Sequence, residues 1–229
     1  MGTSEVLPER PRPLRNRADA GRRLAERLER YRGERPAVVA LPRGGVPVGA
    51  EIARALGAPL DVLIVRKVGA PGNPEYGLGA VAEDGALVMD DARIREAGYS
   101  RADLEPTVEE ERAEVARRAL VYRGGRPPLD LHDRTVILVD DGVATGVTVR
   151  TAAISIRRRA PRRLIFAFGV APAETVESLR PFANELIVLV APRHFFAVGE
   201  WYLDFTPTED AEVLRLLAEL APAAPPPIR

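Results

Sequence analysis

Short unbroken apolar runs alternate along the chain with longer stretches in which apolar positions recur every three or four residues. Residues 37–41, 61–65, 135–139, 164–170 and 185–190 are of the first kind, and each predicts a strand buried on both faces. Residues 16–31 are of the second kind, with Ala20, Leu24 and Leu28 at helical spacing. Helices are also predicted over 46–56, closed by Gly57, and over 101–122, 173–180 and 208–220. Residues 80–89 read as a hairpin turning at Asp84-Gly85, and the Gly/Pro-rich stretch 69–79 as a loop. Strands alternating with helices imply an α/β fold, a parallel sheet covered on both faces. Ligands in such sheets bind beyond the carboxyl ends of the strands, near a switch point in the strand order. Residues 1–14 and 222–229, rich in proline and charge, read as mobile tails around one domain over 15–221.

Composition narrows the function classes. Acidic and basic residues balance at 33 each, so neither nucleic acid nor an anionic membrane is the expected partner. The chain has no cysteine, which removes disulfides, thiolate metal sites and cysteine nucleophiles and leads us to expect a cytoplasmic protein. Lys67 is the single lysine among the 33 basic side chains, a position where a compact ammonium serves in place of a guanidinium fork.

The most informative segment runs from Val136 to Thr148. A fully apolar strand ends in Asp140 and Asp141, and a tight loop then opens a helix: Gly142, Val143, Ala144, Thr145, Gly146, Val147, Thr148. Backbone N–H groups, two threonine hydroxyls and a helix dipole together suit a phosphate. Two acids beside an anion site would repel it unless sugar hydroxyls or Mg²⁺ intervene, and carboxylates accept from both a vicinal diol and metal-bound water. The segment resembles the phosphoribosyl pyrophosphate (PRPP) signature of the type I phosphoribosyltransferases. That resemblance implies a Rossmann-like parallel core with a small hood over the base site, and a homodimer. It makes Asp140 and Asp141 the ribose acids, holding Mg²⁺ through water, and Gly142 to Thr148 the cradle of the 5′-phosphate. Ala144 stands where the hypoxanthine–guanine branch has an aspartate, so proton transfer of that type is not implied.

Two further loops fit the same substrate. Arg43-Gly44-Gly45 follows the first strand and offers a cation and free N–H groups to a pyrophosphate. The resemblance implies a cis peptide there, between Pro42 and Arg43. Lys67 stands at the start of the long loop 68–78, where the family carries a basic residue that reaches the leaving diphosphate. That loop would be a lid, and Glu75 and Tyr76 on it take no assigned role.

Residues 193–205 gather five aromatics and suit a heterocycle. They resemble the purine-contacting segment of the hypoxanthine–guanine enzymes, with Phe196 stacking, Ala197 alongside and Asp204 at the base edge. One extra residue separates Gly199 from Asp204. His194 lies close to this segment, whereas His132 sits in a polar loop. The expected activity is Mg²⁺-dependent transfer of phosphoribosyl from PRPP to a purine-like base. The alternatives are a PRPP-binding regulator without catalysis and a hydrolase or phosphorylase of phosphoribosyl compounds. The acceptor base is not legible.

Overall fold

Every residue of the strand Pro36–Ala40 is buried, and so are the first five of Thr135–Gly142 and the whole of Glu185–Val190. Runs like these cannot be satisfied by one covered face, and the computed structural model, which describes residues 3–6 and 13–221, covers both. In chain order the strands are β1 (Thr3–Val6), β2 (Pro36–Ala40), β3 (Leu60–Val62), β4 (Val65–Ala70), β5 (Asn73–Ala82), β6 (Leu87–Met89), β7 (Thr135–Gly142), β8 (Arg163–Val170) and β9 (Glu185–Val190). The helices are α1 (Arg17–Leu28), α2 (Gly45–Leu56), α3 (Asp91–Glu96), α4 (Arg101–Arg123), α5 (Val147–Arg158), α6 (Ala173–Leu179) and α7 (Asp210–Glu219).

Six strands form a parallel sheet in the order β1-β9-β8-β7-β2-β3. Side chains alternate across it. Val38, Ala40, Ile137, Val139, Ile165 and Ile187 join a core with α1, α2 and α7. Val39, Leu138, Phe166, Phe168 and Val188 join another on the opposite face with α5 and α6. The chain leaves β2 towards β3 on one side and leaves β7 towards β8 and β9 on the other. The switch point therefore lies between β2 and β7, where Ala40 at the end of β2 stands beside Val139, the residue before the acid pair of β7.

The remaining three strands form an antiparallel sheet, β4-β5-β6, over a small core of Ala70, Leu78, Ile94 and Leu104. This hood corrects the expectation for 68–78. The stretch is a hairpin turning after Ala70, not a loop. Two glycines of β4 and β5 mark close approaches: a Cβ at Gly69 would lie 2.5 Å from the Pro74 carbonyl oxygen, and one at Gly79 2.5 Å from that of Val88. The expected strand over 61–65 is likewise split, with β3 closing the large sheet and β4 opening the hood. Arg123 joins the two bodies. Buried at the end of α4, it donates to Asp61 at 3.1 Å, to Glu83 at 2.8 Å and to the Val62 carbonyl.

Residues 3–6, expected in a tail, form the edge strand against β9, and Leu14 is fully buried in a bridge to Tyr202. The rest of 1–12, and all of 222–229, lie outside the described residues. Among the described residues, no helix is long and apolar enough to cross a membrane.

Candidate active site

The loop after β2 meets the acids of β7 because the strands are neighbours and β2 ends level with Val139, one residue short of Asp140. The Leu41 amide donates to the Val139 carbonyl at 2.9 Å, and the chain then turns through a cis Pro42–Arg43 peptide into α2. This brings the backbone of Gly44 and Gly45 against the acid pair. A Cβ at Gly44 would overlap the Asp141 carboxylate, and one at Gly45 would lie 2.7 Å from the Val139 oxygen and 3.3 Å from Asp140 Oδ1. The two glycines are therefore what lets the turn lie on the acids.

Asp141 is buried and held from two sides. Its Oδ2 accepts from Arg17 Nε at 2.7 Å, and its backbone oxygen accepts from the Tyr202 hydroxyl at 2.6 Å. Asp140 accepts the Asp141 amide at 2.9 Å. Burial, reinforced by the Asp141 charge, holds the Asp140 carboxyl well above the usual aspartate range. Burial also pushes up the Tyr202 hydroxyl, with the two acid charges adding to it.

Beyond the acids, β7 runs to Gly142, where a Cβ would press on Val170 and Val198. The Val143 amide donates to Val170 at 2.8 Å, and Gly146, with φ of 76°, turns the chain into α5. Ala144 and Thr145 are exposed and Thr148 is half-buried at the helix N-terminus, whose first-turn N–H groups have no partner in the preceding turn. Thr175 of α6 anchors the loop by donating to the Ala144 carbonyl at 2.6 Å.

The other expected residues are placed less directly. The Arg43 guanidinium pairs with Asp210 at 3.8 Å and lines a cavity of about 140 Å³ with Arg117, Arg118 and Tyr122. Lys67 is exposed in β4, in register with Ala80, and not at the base of a loop. Phe196 is 88% exposed, and Ala197 precedes a short helical turn over Val198–Trp201. Asp204 accepts from the amide and hydroxyl of Thr206 at 3.0 and 2.7 Å, and the hydroxyl followed by the amide holds its carboxyl below the usual range. The structure thus packs Gly44, Gly45, Asp140 and Asp141 together and joins Gly142 to the aromatic segment through Val198. Lys67, the Arg43 guanidinium, Phe196 and Asp204 are not brought onto the acids in this way.

Arg17 and Thr175 carry no signal in the sequence, and Tyr202 and Phe205, counted among the aromatics of 193–205, take no individual role there. Their partners are distant in the chain, 124 positions for Arg17 and Asp141, and no local motif marks them.

A Mg²⁺ ion fits this donor set in one way. Among the described residues no group of three or more His, Cys, Asp or Glu side chains is arranged to hold a metal. Asp140 and Asp141 supply two adjacent carboxylates, enough for an ion that keeps its waters and arrives on substrate phosphates.

A parallel sheet whose switch point carries an acid pair between two glycine turns places its polar groups where ligands of doubly wound sheets bind. The phosphoribosyl transferase domain model matches residues 13–182, and the chain belongs to that family. Two Mycobacterium tuberculosis proteins, each named "Putative phosphoribosyl transferase" and coming from two strains, are 39% identical over 224 residues, 93% of this chain. The match takes in 51% of each, so the chain spans about half the length of these curated relatives. The crystal structure of the protein TT1426 from Thermus thermophilus aligns with a TM-score of 0.78 at 45% identity, over 92% of this chain and 100% of that one.

Proposed function

We propose that the chain transfers the 5-phosphoribosyl group of PRPP to a purine-like nitrogen base and releases pyrophosphate. The observation that carries this reading is the packing of the Gly44-Gly45 backbone against Asp140 and Asp141 at the mouth of the Gly142–Thr148 loop. A diphosphate, a ribose and a 5′-phosphate need those three features side by side.

Each group has a task in that reaction. The N–H groups of the loop and of the α5 N-terminus, with the Thr145 and Thr148 hydroxyls, hold the 5′-phosphate. Asp140 and Asp141 accept from the ribose hydroxyls and from the waters of a Mg²⁺ that the substrate carries. Bound there, the ion supplies positive charge to the departing diphosphate. The C1–O bond to pyrophosphate breaks as a bond from C1 to a ring nitrogen forms, and the N–H proton of the base passes to water. Gly44 and Gly45 offer backbone N–H groups to the leaving group, and Arg43 and Lys67 are the cations assigned to it. For Arg43 to reach the leaving group, its pair with Asp210 would open. Phe196, Ala197 and Asp204 are the base contacts, and the exposed Phe196 ring suits a platform that becomes covered when the base stacks on it.

Calorimetric titration with PRPP and Mg²⁺, followed by a nucleobase panel scored for pyrophosphate release, tests the proposal. Binding followed by base-dependent release is the expected result. Phosphate or pyrophosphate release without any base would favour a hydrolase, and PRPP binding without turnover a regulator.

A further inference from the structure

The acid pair is served by a residue that none of the three loops contains. Arg17 opens α1, and its place is fixed before its side chain begins. The chain at Leu14 and Arg15 runs beside 203–204, where the Leu203 and Asp204 amides donate to the Leu14 and Arg15 carbonyls at 2.8 Å each. Asn16 then caps the helix, its side-chain oxygen accepting the Asp19 amide at 2.9 Å. From there the Arg17 guanidinium uses three surfaces. Nε donates to Asp141 Oδ2 at 2.7 Å, Nη1 donates to the Thr206 carbonyl at 2.7 Å, and its planar face lies 3.9 Å from the centroid of the Phe205 ring.

A charge that only neutralised Asp141 could be supplied by an ammonium or a solvent cation. A guanidinium held at three points has a fixed plane, and so fixes the carboxylate it binds. Both partners of the ion pair are 12% exposed, so water screens it little. Phe205 also packs on Tyr202 at 5.1 Å between centroids, and the Tyr202 hydroxyl holds the Asp141 carbonyl. Asp141 is thus held at its side chain by Arg17, which rests on Phe205, and at its backbone by Tyr202, and both aromatics belong to the segment assigned above to the base.

We propose that Arg17 is a positioning residue for the sugar. It holds the Asp141 carboxylate in the orientation that accepts the ribose hydroxyls and ties that acid to the base-side segment. The inference rests on the phosphoribosyl reading and deepens it. Arg17 touches no reacting atom, and its effect is confined to ligands that carry a ribose.

The test is a calorimetric comparison of wild type, Arg17→Met, Arg17→Lys and Arg17→Ala with three ligands: PRPP, ribose 5-phosphate and pyrophosphate. Arg17→Met should weaken PRPP and ribose 5-phosphate by about 10- to 100-fold, the loss of one charged hydrogen bond, and leave pyrophosphate unchanged. Arg17→Lys keeps the charge and should recover the melting temperature without recovering PRPP affinity. Methylguanidinium added to Arg17→Ala should restore part of that affinity. Unchanged PRPP binding in Arg17→Met, or equal losses for all three ligands, would overturn the inference. If the Met variant does not fold, Arg17→Lys decides, and wild-type PRPP affinity there overturns it equally. A wild-type protein that binds no PRPP would remove the phosphoribosyl reading and this inference with it. Wild-type binding combined with an insensitive Arg17 removes only the inference.

Discussion

Gly44 and Gly45 occupy neighbouring positions, yet a methyl group should act differently at each. At Gly44 the obstacle is the end of the Asp141 side chain, and φ of −60° suits alanine. Gly44→Ala can therefore be accommodated by moving the carboxylate off Arg17, and it should weaken PRPP by about tenfold with little change in unfolding. At Gly45 the obstacle is the Val139 carbonyl, a backbone atom of the central strand. Gly45→Ala should cost stability itself, about 1–3 kcal/mol in urea unfolding. Asp140 gives a prediction with a pH signature. Its carboxyl holds a proton more tightly in the fold than in the unfolded chain, so stability falls as pH rises from the ordinary value of 3.8 through the raised one. Asp140→Asn removes that fall. Its melting temperature should exceed the wild-type value at neutral pH and converge with it in acid, while PRPP affinity drops. A variant less stable than wild type at neutral pH would mean that the charged acid is well accommodated.

At the scale of elements, the hood depends on one buried cation. Arg123 satisfies Asp61 of the large sheet and Glu83 of the β5–β6 turn together, and a second arginine, Arg159, reaches Glu83 at 2.9 Å. Arg123→Met leaves two buried carboxylates short of a partner and should cost about 3–5 kcal/mol in urea unfolding. A loss below about 1 kcal/mol, the range of an exposed pair, would show that water reaches the network. The inner strands β2, β7, β8 and β9 were legible because they are apolar on both faces and cannot be mistaken for loops, whereas the edge strand β1, Thr3–Val6, lacks that pattern and reads as tail. Of the hood, the turn at Asp84-Gly85 was legible but the β4–β5 hairpin was not, because these strands carry Gly69, Pro74, Gly77 and Gly79, with Gly72 at the turn between them, residues that ordinarily break strands. Only the cross-strand partner reveals that Gly69 and Gly79 are small to admit backbone. The same limit governed the site. Asp140, Asp141 and the glycine loops announce themselves within a few residues, whereas Arg17 and Tyr202 acquire meaning only when distant parts of the chain meet over β7.

For the whole molecule, the donor set makes a claim about the order in which metal and substrate stabilise the fold. Asp141 already has Arg17 as its cation, burial holds the Asp140 carboxyl above the usual aspartate range, and no third carboxylate or imidazole joins them among the described residues. Such a pair offers free Mg²⁺ little, since this ion parts with its waters reluctantly and takes few protein ligands. Mg²⁺ alone should therefore leave the melting curve almost unmoved. PRPP with Mg²⁺ brings phosphates to the α5 N-terminus and the Gly44-Gly45 turn and spreads its contacts over β2, β7 and α5. At a concentration about 100 times its Kd it should add about 2.7 kcal/mol. In a domain of this size that corresponds to a rise of about 5–10 °C. Thermal melts with Mg²⁺, PRPP and both together separate the cases. A full shift with Mg²⁺ alone would mean that the acids form a metal site of their own, and the metal would then precede the substrate. A shift that needs both means the substrate carries the ion into a site prepared for sugar and phosphate.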